Sequence, residues 1–186
     1  MCTLFHKLAR GGRFDTAIAS YNEMTHQLER GIYMVEPREF LSLLPHGLYL
    51  IGVQREPDGY IYTASWLTQA SFQPCLIATA VRTNHDGHTL IRSTGEFTVN
   101  FLPAGGIELA RLGFGKPDNR LVGVRWRPCP ETGAPVVMSA LGYLGCRVVR
   151  WVEGGDHDVV LAEAVIAERF REGKLLNIHD TPWSYS

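Results

Sequence analysis

The chain has 186 residues, enough for one domain that buries its own core without disulfides or a structural metal. Lys and Arg number 18 against 19 Asp and Glu, a net charge of -1 with a pI near 6.6, so bulk charge recruits neither nucleic acid nor an anionic membrane. The four cysteines, Cys2, Cys75, Cys129 and Cys146, form no CxxC pair, and without a leader-like or membrane-spanning apolar run the chain reads as soluble, with free thiols in the cytoplasm.

Residues 14–30, "FDTAIASYNEMTHQLER", space Phe14, Ile18, Tyr21, Met24 and Leu28 by three and four, which predicts an N-terminal helix stopped at Gly31. "EPREFLSLLPHG" predicts a second, short helix, with Pro37 at its first turn and Pro45 and Gly47 at its end. From Leu48 the texture becomes short β-branched and aromatic runs divided by turns. "LYLIGVQRE" and "YIYTASW" flank Pro57-Asp58-Gly59, a hairpin signal, because Pro fixes φ and Gly accepts a positive one.

Further strands are expected at 75–81, 96–102, 141–153 and 159–170, with "KLLNI" at 174–178 as a candidate for the last. The runs at 75–81 and 141–153 are nearly continuous in apolar or small residues, which suggests burial on both faces or a barrel wall. Short helices are expected at 88–94 and 106–113, and a Pro-, Gly- and charge-rich loop over 114–135. Many short strands, few helices and turn-length links imply a mainly β antiparallel barrel or sandwich with peripheral helices, and not a βαβ fold.

The sequence contains no GxSxG, HExxH or GxGxxG motif, and "GFGKPD" lacks the spacing and hydroxyl of a phosphate-binding P-loop. His85 and His88 have only Asp86 beside them, which favours a turn with exposed histidines over a metal site, and no metal ligands are assigned. "YTASWLTQASFQP", residues 62–74, sets Thr63, Ser65, Thr68 and Ser71 around Trp66 and closes with Phe72 and Pro74. Such short hydroxyls suit a flat heterocycle edged with carbonyls and ring nitrogens. They equally suit a strand end and turn, where hydroxyls cap backbone groups.

"GLYLIGVQREPDGYIYTASWLTQASFQPCLIATAVR", followed by "HTLIRSTGEFTVNFL", resembles the core of the flavin reductase family with the FMN-binding split-barrel fold. "GDHDVVLAEAV" is similar to that family's Gly-Asp-His strand motif and "TPWSYS" to its usual ending. The likeness runs from about Pro45 to the end; residues 114–124 match loosely, and the N-terminal helix is extra. The domain organisation expected is a helical extension over 1–35 and the flavin reductase-like domain over 36–186.

The resemblance implies a Greek-key antiparallel barrel, FMN or less often FAD as cofactor, and NAD(P)H as reductant. It implies that Thr63, Ala64, Ser65, Trp66 and Thr68 line the isoalloxazine and ribityl chain, with Ser71 and Phe72 at the turn. Arg82 offers a fork for the phosphate, with Thr83, Asn84, His88 and Thr89 completing a cradle at a helix N-terminus; a solvated strand-end arginine is the alternative. His157 is the catalytic candidate, near the flavin or the nicotinamide. The alternative is a structural histidine beside a turn-capping Asp156.

Hydride would pass from nicotinamide to flavin N5, so the protein's task is stacking two flat rings and excluding water. Family members are homodimers with flavin near the interface. The electrons would go to a partner monooxygenase, as released reduced flavin, or to another acceptor. A non-enzymatic flavin- or haem-binding module on the same barrel is the alternative reading.

Overall fold

The computed structural model describes residues 34–114 and 120–183. The helix expected over 14–30 lies outside them. The chain divides into two units, Met1–Leu44 and Pro45–Ser186. In the first, α1 (Pro37–Leu41) opens on a proline whose missing N–H would have no partner in a first turn.

The second unit begins with the expected hairpin. β1 (Tyr49–Val53) pairs antiparallel with β2 (Tyr60–Ala64), from Tyr49 opposite Ala64 to Val53 opposite Tyr60. Gly59 takes φ of 80°, a left-handed value that a side chain would resist. Then follow β3 (Leu67–Ser71), β4 (Leu76–Arg82), α2 (Asp86–Thr94), β5 (Glu96–Phe101) and α3 (Ile107–Leu112). The last elements are β6 (Trp126–Pro128), β7 (Pro135–Val137), β8 (Gly142–Val152), β9 (His157–Arg169) and a 3-10 turn at Ile178–Asp180.

Seven strands form one sheet in the order β2-β1-β5-β8-β9-β4-β3, every pair antiparallel. Its two outermost strands, β2 and β3, are consecutive in sequence, joined only by Ser65 and Trp66. In a flat sheet of that order they would stand about 29 Å apart. A link of two residues reaches only about 10 Å. The sheet therefore curls until its edges meet, and the join falls inside the hydroxyl-rich segment.

The barrel interior is filled by Tyr49, Ile51, Tyr62, Val81, Phe97 and Val160, with Ile91 of α2 packed among them. Burying each such large side chain contributes about 1.5–3 kcal/mol. The other face of β1 and β2 is also covered: Leu50 and Ile61 pack with Ala110 of α3 and with Leu176, which is why β1 is buried at all five positions. Asn100 of β5 donates to Leu50 O at 3.0 Å and Pro135 O at 3.2 Å and accepts from Val137 N at 2.7 Å, tying β7 to the sheet.

Two expectations change. "KLLNI" is not a strand: Leu175 and Asn177 make single bridges, to Pro103 and Gly47, and a 3-10 turn follows. The loop expected over 114–135 contains β6, which pairs with β7. Of the two readings the run at 75–81 allowed, the barrel wall holds: β4 alternates buried Ile77, Thr79 and Val81 with half-buried Leu76, Ala78 and Ala80 and exposed Arg82.

Candidate functional site

The two-residue link that closes the barrel is a tight turn: Leu67 N donates to Ser65 O at 2.9 Å, and Ala80 N donates to Trp66 O at 3.0 Å. It is thereby fastened to β4. Since side chains alternate along a strand, β4 sends Ala78, Ala80 and Arg82 to the outer face. Register supplies their neighbours: Thr68 stands opposite Ala78, Val159 opposite Ala80, and His157 opposite Arg82.

The indole of Trp66 lies 4.7 Å from the His157 ring, centroid to centroid, and is 40% exposed. His157 Nδ1 donates to Asp156 Oδ1 at 2.8 Å, and that bond is the main reason the Asp156 carboxyl titrates below the usual carboxylate range. While the ring is neutral, Nε2 is its acceptor nitrogen. Thr83 donates twice to the Asp156 carbonyl, from its N–H at 3.0 Å and its hydroxyl at 3.3 Å. Trp66, Arg82, Thr83 and His157 thus meet at one end of β4 and β9, with Thr68 further along the same outer face, opposite Ala78.

The other expected residues are spread over β2, the closing link, β3, the link after Arg82 and α2. The Thr63 hydroxyl donates to Ala110 O of α3 at 2.5 Å, and Ala64 packs against the barrel core. Ser71 is half-buried and Phe72 is 89% exposed, both at the far end of β3, while Asn84 and Thr89 are exposed. Ser65 is half-buried in the closing link.

His85 and His88 are half-buried, contrary to the exposed turn expected of them. His85 caps α2 by accepting from Gly87 N at 3.1 Å; its pKa is lowered by burial first and by the Arg120 cation second. His88 Nε2 donates to Asp158 Oδ2 at 2.8 Å, where Arg92 Nη2 also donates at 2.9 Å.

Asp158, Arg92 and Trp151 were not singled out from the sequence. A signal was there: the alternation that buries Val160 and Ala162 on β9 also turns Asp158 inward, an unusual place for a charge.

The outer strip has the properties a flat heterocycle requires. Ala78 and Ala80 are small enough for a ring to approach the strand, Trp66 and Val159 supply apolar edges, Thr68 supplies a hydroxyl, and Arg82 a cation for an anionic tail. These residues fit a flavin.

The model of the flavin reductase like domain matches residues 41–181. A putative diflavin flavoprotein of Nostoc is 30% identical over 75% of this chain, which spans only 25% of that longer protein. An NADH-dependent FAD reductase of Streptomyces globisporus is 31% identical, with 77% of this chain and 85% of the relative covered. Among solved structures, BorF, the flavin reductase component of a bacterial two-component tryptophan halogenase, superposes with a TM-score of 0.70 at 26% identity, covering 77% of this chain and 91% of BorF.

Proposed function

Since the chain belongs to the flavin reductase like domain family, we propose that it is an NAD(P)H-dependent flavin oxidoreductase that takes FMN or FAD and delivers reduced flavin to a partner monooxygenase or halogenase. The observation that carries this reading is the outer strip itself, small residues floored on β4 and edged by Trp66, Arg82 and His157 at the join of the barrel. The NADH-dependent FAD reductase of Streptomyces globisporus supports the reaction class, and BorF, as one component of a two-component halogenase, supports delivery to a separate partner.

A bound flavin supplies the hydride-accepting N5, which no side chain can replace. This chain's residues bind and orient. Ala78, Ala80 and Val159 would offer the ring a dry surface. Arg82 would hold an anionic phosphate by charge-assisted hydrogen bonds, and the tie from Thr83 to Asp156 would keep that arginine beside His157. His157, with Nδ1 fixed by Asp156, would present Nε2 to the ring edge or the nicotinamide. Assembly as a homodimer, with the flavin near the interface, belongs to the same proposal, as does a reducing compartment, which the free thiols of Cys75, Cys129 and Cys146 support.

The test is the visible spectrum of the purified protein supplied with FMN or FAD, before and after NADH or NADPH is added without oxygen. Bleaching of the flavin bands by either nucleotide is expected. Flavin that binds but is never reduced would leave a binding module in place of the enzyme.

A further inference from the structure

Next to His157 on β9, and therefore on the opposite face, Asp158 lies 6% exposed. It accepts from His88 Nε2 at 2.8 Å, from Arg92 Nη2 at 2.9 Å, and from Gly154 N at 3.4 Å. His88 and Arg92 are four apart and so share one face of α2. Trp151 of β8 backs both: its ring centroid is 5.0 Å from that of His88, and the Arg92 guanidinium carbon lies 4.1 Å from the indole centroid.

An apolar contact would dock a helix without the desolvation cost of a buried carboxylate, but apolar contacts do not fix register as directed bonds do. Two donors one turn apart, converging on one oxygen, allow α2 a single seating. The other side of the link before α2 is anchored just ahead of β9, because Thr83 donates twice to the Asp156 carbonyl. Residues 83–85, between β4 and α2, are thus pinned at one end by Asp156 and run at the other into α2, which Asp158 holds through His88 and Arg92. Asp156 and Asp158 are the residues flanking His157.

We infer that Asp158 is a positioning residue of the flavin site: by seating α2 through His88 and Arg92, it sets where the link after Arg82 stands relative to His157, and hence how well that link receives a flavin phosphate. The inference rests on the flavin reading of the outer strip. In it His88 acts through the helix and does not touch the phosphate.

The contrast between FMN and riboflavin, which lacks the phosphate, tests it. Both are titrated into the full chain by flavin fluorescence, for wild type, Asp158→Asn and Arg92→Met, with thermal melts to establish folding. Asp158→Asn keeps the shape and removes the charge; its Kd for FMN should rise about tenfold, equivalent to one charge-assisted contact, while that for riboflavin changes less than about twofold. Arg92→Met keeps packing against Trp151 and should shift the same ratio by less; it decides alone if Asp158→Asn does not fold.

Equal loss for both flavins, or no loss, would overturn the positioning role and leave the flavin reading intact. Wild-type protein that binds neither flavin would instead bring down that reading, and the role of Asp158 with it.

Discussion

His85 performs two tasks that oppose its protonation. It accepts the Gly87 N–H at 3.1 Å through Nδ1, and it is pressed against the Tyr62 ring, 4.8 Å away between centroids. Burial and the Arg120 cation lower its pKa below 6.5. In the unfolded chain the imidazole takes its proton near the ordinary value, so below about pH 6.5 the unfolded state binds more protons at this residue. Its contribution to stability is therefore complete above that pH and declines as pH falls toward the folded value. His46 is lowered too and adds the same sign. The lowered carboxyls of Asp156 and Asp158 act in a separate window, below about pH 4. Replacing His85 by Asn retains a capping acceptor without a titrating ring. The melting temperature of His85→Asn should consequently fall less than wild type's between pH 7 and pH 5; parallel curves would show that His85 does not carry this dependence.

Among the elements, α2 is the one whose seating matters most to the site, and Gly87 permits it. A Cβ there would come within 2.5 and 2.8 Å of Tyr62 ring carbons. Tyr62 is buried and cannot withdraw. In an unencumbered helix Gly→Ala gains about 1 kcal/mol. Here the clash, at about 1–3 kcal/mol, should win, so Gly87→Ala is expected to lower the urea-unfolding free energy; a gain would mean that α2 shifts freely over the barrel. The spacing of apolar residues and the flanking glycines made α2 and α3 legible in advance, as Pro57-Asp58-Gly59 did the first hairpin. β3 is not legible as an element in the sequence pattern, because "LTQAS" has no apolar alternation and its middle three residues are exposed. It is a strand because β4 offers it a free edge and the barrel must close. "KLLNI" failed in the opposite direction: Leu176 is buried, but burial alone makes no ladder.

At the scale of the whole molecule, the segment 62–74 was recognisable from its hydroxyls and indole, whereas the face each residue occupies was not. Strand phase and closure decide that. They turn Thr63 toward α3 and Ala64 toward the core, while Trp66 joins residues some ninety positions further along the chain. Asp156 and Asp158 show the same limit: Asp156, just before β9, holds the His157 ring on the outer face, while Asp158, just after that histidine, turns inward to His88. The same geometry leaves Trp66, Val152 and Val159 exposed, with Val152 and Val159 directly paired across β8 and β9. Apolar side chains gathered on the outer face of a sheet mark surface that another molecule covers. A two-fold partner applying the same face to itself would cover that surface and exclude water from the strip, as the proposed chemistry requires. Light scattering coupled to size exclusion should therefore give twice the chain mass of 20.8 kDa. Val159→Glu, which puts a like charge on both sides of such an interface, should shift the chain toward monomer and weaken flavin binding with it. A wild-type chain that reduces flavin while running as a monomer would show that the strip functions uncovered, with β3 and β4 alone shielding the ring.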